Sequence, residues 1–145
     1  MAASSYLPDV AGGMVAAACF ADDASAEKAL AILADSDVRP PEISVIARDG
    51  VRAARIAGGH AWYPGKDERG AARMLHRVLH RLPKAVRDRY RSELADGSVV
   101  IVAAAGGQPA DTLAALLSRA GGRLVDQWWQ SPADLFAPPE LAGPF

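Results

Sequence analysis

His76 and His80 stand one helical turn apart, and two imidazoles at that spacing can clamp a metal ion or ligate haem. Their neighbours do not complete such a site. No Glu follows His76 as in the zincin pattern, no cysteine or acid lies at ligand spacing, and the flanking arginines repel a divalent cation. His60 adds a third nitrogen only if its loop folds back. The expectation is a solvated polar face with no metal and no cofactor, and metal or haem binding through His60, His76 and His80 ranks last among the readings.

Other residue types fare similarly. Asp22-Asp23 follow an apolar run and form a carboxylate pair, but no base or metal partner adjoins them, so they read as a solvated turn before a helix cap. Gly106-Gly107 lie between an apolar run and a helix, as in a phosphate turn, yet the third glycine or the lysine of such loops is missing. Cys19 is the only cysteine and sits in the apolar run Met14 to Phe20. That excludes an intramolecular disulfide and predicts a core thiol. There is no Gly-x-Ser-x-Gly elbow. No set of side chains would move a proton or make a nucleophile, so the expectation is no catalytic residue and no enzyme.

Charge is segregated. The chain has 145 residues and a net charge of -1, yet Arg69 to Arg91 holds eight Lys or Arg against the single Asp88. On a helical wheel Met74, Leu75, Val78, Leu79 and Leu82 share one arc, while Arg69, Arg73, Arg77 and Arg81 follow one another at i,i+4 beside the histidines. A basic stripe can guide an anionic partner. The candidate anion site is therefore Arg69, Arg73, Arg77 and Arg81 with the Gly106-Gly107 turn, and a small anionic ligand or nucleotide sensor is the alternative function. His60, Trp62 and Tyr63 could stack bases, but the aromatic-bearing strands of an RNA-binding sheet are missing, which argues against a nucleic-acid partner.

Two strand-helix-strand units must position these residues, and their first strands start 85 positions apart, at Met14 and Val99. In the first, Met14 to Phe20 leads through a helix with Ala26, Leu30 and Leu33 at helical spacing, N-capped by Ser25, to the apolar Ile43-Ser44-Val45-Ile46. In the second, Val99 to Ala105 leads to Leu113, Leu116, Leu117 and Ala120 on one helical face. Gly121-Gly122 stop that helix, and Leu124 to Trp129 form the last strand. Between them, glycines and a proline mark an irregular loop over 58–65. A helix from about Asp67 to Leu82 and another from Lys84 to Ala95 follow.

The predicted fold class is α+β and ferredoxin-like: two βαβ halves forming one four-stranded sheet, with an inserted helix pair between the halves. Residues 1–13 read as a flexible N-terminal tail. Residues 14–130 read as a single α+β domain, with halves at 14–50 and 98–130 and the helix pair at 66–96. Residues 131–145 read as a Pro-rich C-terminal tail. The apolar arc of the first inserted helix is expected to cover the open face of the sheet, or else to need a second subunit.

Trp128 and Trp129 are adjacent in a strand, so one indole should enter the core while the other faces outward. With Leu135 and Phe136 of the tail they make the candidate interaction surface, serving a homo-oligomer or a protein partner docked through the C-terminal tail. No run of about 18 apolar residues spans a bilayer, and the N-terminus lacks the charge of a signal peptide, so no membrane partner and a cytoplasmic location are expected.

Ala26-Glu27-Lys28-Ala29-Leu30, then Ile43-Ser44-Val45-Ile46-Ala47-Arg48, then Val86 to Tyr90 leading into Leu94-Ala95-Asp96-Gly97 and the strand Ser98 to Val102, resemble the general stress protein 17M-like domain. The resemblance spans residues 14 to about 127. It implies a stress-associated bacterial domain with no agreed catalytic residues. The functional expectation is a non-enzymatic bacterial stress-associated or regulatory module acting through self-association or protein binding.

Overall fold

The structure is a computed structural model that describes residues 13–38, 42–59, 61, 63, 76, 79, 82–104 and 110–130. Along the chain run β1 (Gly13–Phe20), α1 (Asp23–Asp35), β2 (Ile43–Ile46), α2 (Gly50–Ala57), α3 (Lys84–Ala95), β3 (Val99–Ala104), α4 (Ala110–Arg119) and β4 (Arg123–Gln130). The fold is α+β. Among the described residues four strands form one sheet in the order β2-β3-β1-β4, and every neighbouring pair is antiparallel. The two strands of each half are separated by a strand of the other half, so the halves interleave and share one sheet.

Alternation along the strands sends side chains to two cores. Ala16, Ala18, Phe20, Ile43, Val45, Val99, Ile101 and Ala103 meet the buried faces of α1, α2 and α4. The intervening Val15, Ala17, Cys19, Ile46, Val100, Val102 and Ala104 meet Tyr90 and Leu94 of α3. Because both faces are covered there, the central strands β1 and β3 read as continuous apolar runs rather than as alternating ones. Leu79 is 1% exposed in this second core and Leu82 packs beside it, as the apolar arc requires if the chain covers its own sheet. The other residues of that arc lie outside the described residues.

Local chemistry sets the helix ends. The N-cap of α1 is Asp22, not Ser25: Asp22 is extended at φ -141 and ψ 167, and its carboxylate accepts from the Ser25 backbone N at 2.8 Å. Ser25 is thus the third residue of the helix, and the capping acceptor lies three residues earlier than the sequence suggests.

The helix α2 is not anticipated by apolar spacing, because its buried residues Ala53, Ile56 and Ala57 include two alanines. Asp49 starts it by accepting from Val51 N at 2.9 Å and Arg52 N at 3.4 Å, and Gly58 ends it in a left-handed conformation at φ 49. Tyr63, a candidate for base stacking in the sequence, packs against the first core.

At the end of α4 the chain turns into β4 through Gly122, where a Cβ would lie 2.8 Å from both the Ala18 Cβ and the Leu117 carbonyl oxygen. Only glycine lets α4 and β4 approach β1 this closely.

Candidate functional site

The two edges of the sheet differ. On β2, residues Ile43, Ser44, Val45 and Ile46 are each no more than 2% exposed. On β4, Arg123 and Gln127 are exposed and Leu124, Val125 and Asp126 are half-buried, while no described strand pairs with its outer side. An open edge offers a row of backbone N–H and C=O groups to another chain.

β4 is irregular where it meets the end of β1. Ala17 pairs with Asp126 and Cys19 with Arg123, so the single residue Ala18 faces both Leu124 and Val125. This is a β-bulge, and Leu124 carries it at φ 53 in the left-handed region.

Beneath the bulge α3 places Tyr90, which is 0% exposed. Its hydroxyl donates to the Leu124 carbonyl oxygen and lies 2.8 Å from Asp126 Oδ2 and 3.5 Å from the Ala17 carbonyl oxygen. One phenolic proton therefore serves several acceptors that the bulge gathers. Burial first, and then the hydrogen bond and charge of Asp126, hold the phenol above its ordinary range.

Cys19 adjoins this group. Burial pushes its thiol up to about 12, the negative charges of Glu93 and Asp126 add to the shift, and Arg123 partly opposes it. The nucleophilic form of a cysteine is the thiolate, so Cys19 stays inert near neutral pH.

Two further polar groups lie where β1 ends and β3 begins. Glu93 Oε1 accepts from Ser98 Oγ at 2.7 Å and from Arg123 Nη2 at 2.7 Å, tying the start of β4 to the end of α3. Arg52 of α2 donates to the Gly97 carbonyl oxygen and pairs through Nε with Asp23 Oδ1 at 2.5 Å, while Arg55 Nη2 meets Asp23 Oδ2 at 2.7 Å. Arg48 Nη1 donates to the Ala95 carbonyl oxygen at 3.1 Å. Arg48 thus meets the last carbonyl of α3, where a cation offsets the helix dipole, and Arg52 meets a carbonyl of the turn into β3. Hydrogen bonds from Arg55 and then Arg52 hold the Asp23 carboxyl below the usual carboxylate range.

Of the residues singled out in the sequence, Trp128 enters the second core at 8% exposure, and the Trp129 backbone pairs with Met14. Asp22 is exposed and caps α1, while the Asp23 side chain, 33% exposed, pairs with Arg52 and Arg55. His76 is exposed in a helical segment. Arg69, Arg73, Arg77, Arg81, Gly106, Gly107, Leu135, Phe136, His60 and His80 lie outside the described residues. Among the described residues, no three His, Cys, Asp or Glu side chains are grouped to hold a metal ion. No described helix is long and apolar enough to cross a membrane.

Sequence reasoning passed over Asp126, Glu93, Arg123 and Arg52, and met Tyr90 only within the family resemblance. The available signals were Asp126 as an acid inside a strand and Tyr90 at i,i+4 from Val86 and Leu94. No family model, curated protein or solved structure matches this chain.

Proposed function

We propose that this chain is a non-enzymatic, ferredoxin-like module that acts by self-association, docking a second copy along the open edge of β4. One observation carries the reading: β2 is buried at its edge of the sheet, whereas β4 exposes Arg123 and Gln127 and half-exposes the residues between them. A strand so placed takes an added strand through main-chain hydrogen bonds. The strand order β2-β3-β1-β4, antiparallel throughout, supports the ferredoxin-like assignment.

The polar groups support a binding rather than a chemical role. Cys19 and Tyr90 are both 0% exposed and held protonated, and Arg52, Glu93 and Arg123 are engaged in joining elements. The likeness to the general stress protein 17M-like domain belongs to the same proposal, with Ala26 to Leu30 on α1 and Ile43 to Ile46 forming β2.

Light scattering across micromolar concentrations tests it. A mass rising to twice that of the chain is expected, and Gln127→Lys, which sets like charges on the facing edges, should weaken the rise. A strict monomer at high micromolar concentration contradicts the proposal.

A further inference from the structure

The bulge in β4 is flanked by contacts from α3, with Tyr90 on Leu124 and Asp126, and Glu93 on Arg123. Leu124 adopts φ 53, a region that a bulky side chain enters only when its surroundings impose it. Tyr90 lies against it: its buried hydroxyl donates to the Leu124 carbonyl oxygen and touches Asp126 on the other side of the extra residue.

We propose that the Tyr90 hydroxyl is a latch that keeps the extra residue in β4. Its release lets the first part of the strand slip by one residue into regular pairing with β1. With Asp126 still opposite Ala17, Val125 then faces Ala18, Leu124 faces Cys19 and Arg123 faces Phe20. A one-residue slip moves a side chain to the other face of a sheet. Arg123 therefore leaves Glu93 and Ser98, on which it closes in the latched strand at 2.7 and 3.4 Å.

The latch also governs the docking edge. A bulge flanked by charges blunts an edge strand, as Leu124 between Arg123 and Asp126 does here. Latched, β4 offers an edge that the bulge bends between Arg123 and Asp126; released, it offers the same stretch in regular register. This consequence for docking rests on the self-association proposed above, whereas the slip itself does not.

The test is solution NMR of the full chain, reading which β4 residue lies opposite Cys19, together with light scattering on the same samples. Wild type and Leu124→Gly should both place Arg123 there. Tyr90→Phe should place Leu124 there and, by straightening the paired edge, tighten self-association roughly tenfold. The double variant Tyr90→Phe/Leu124→Gly should recover the bulge, because glycine takes the left-handed conformation without help.

A Tyr90→Phe chain that keeps Arg123 opposite Cys19 overturns the latch. If Tyr90→Phe does not fold, the double variant decides: folding with the bulge restored supports the latch, and failure to fold places the role of Tyr90 in the core instead. If the wild type stays monomeric, the docking proposal fails while the NMR register still decides the latch.

Discussion

Arg52 and Asp23, 29 positions apart, meet with Nε 2.5 Å from Oδ1, and the same guanidinium reaches the Gly97 carbonyl oxygen beyond α3. One side chain thereby joins the first turn of α1, the helix α2 and the turn into β3. Its side chain is 20% exposed, so these bonds are only partly in competition with water. Arg52→Ala leaves Asp23 with Arg55 alone and one carbonyl without its donor. The expected loss is about 1–3 kcal/mol in urea unfolding. Arg52→Lys should recover only part of it, since an ammonium cannot present two fixed donors to two acceptors.

The same contact sets an acid dependence. The Asp23 carboxyl is held below its ordinary value by Arg55 and Arg52, so the stability it contributes is complete above the unfolded value near 4. That stability should fade as pH falls through the lower folded value. Urea midpoints between pH 5 and pH 2 check this, and Arg52→Ala should flatten the slope.

Alkali should act through the second core. The Cys19 thiol is raised to about 12 in the folded chain, so it stays protonated while the unfolded thiol ionises near 9. A raised value means stability that is present below about 9 and is lost as pH rises toward about 12. Cys19→Ala should reduce this alkaline slope, with Tyr90 accounting for part of what remains. In the native state at neutral pH the thiol should not react with a thiol reagent, and it should become reactive on unfolding.

Gly122→Ala should be among the most damaging small changes in the chain. The new methyl would sit 2.8 Å from the Ala18 Cβ and the Leu117 carbonyl oxygen and 3.1 Å from Phe20 Cζ, inside a sheet whose position α4 fixes. Overpacking of this kind costs about 1–3 kcal/mol. At Gly97, where no atom lies within 4 Å of the added carbon, Gly97→Ala meets no clash and the strain arises from φ +100 alone. Thermal unfolding of the two variants separates close approach from backbone strain, with the larger drop in melting temperature expected for Gly122→Ala.

Much of the fold could be read from spacing. Leu30 and Leu33, and Leu113, Leu116 and Leu117, recur at helical intervals because α1 and α4 each bury one stripe against the sheet. The central strands β1 and β3 were legible as apolar runs because both faces of the sheet are covered there. The helix α2 was not, since the small residues Gly50, Ala53 and Ala57 form most of its buried face and contribute little to an apolar pattern. The cap of α1 shifted from Ser25 to Asp22 because both are good caps and only the backbone geometry separates them.

The candidate site was scarcely legible. Tyr90 and Asp126 are 36 positions apart and meet only because α3 packs on the sheet so that the Tyr90 hydroxyl reaches β1 and β4. The bulge has no sequence mark at all: Leu124 takes a conformation usually left to glycine, and no residue type there announces it. The open edge at β4 follows from strand order, and strand order comes from how the two halves interleave rather than from any motif.

Amide hydrogen exchange of the full chain at dilute and at high micromolar concentration tests docking along β4 most directly. If a second copy pairs with this edge, amides of β4 that point away from β1 should gain protection with concentration while those of the buried β2 stay unchanged. Protection along β4 that does not vary with concentration would contradict self-association through this edge.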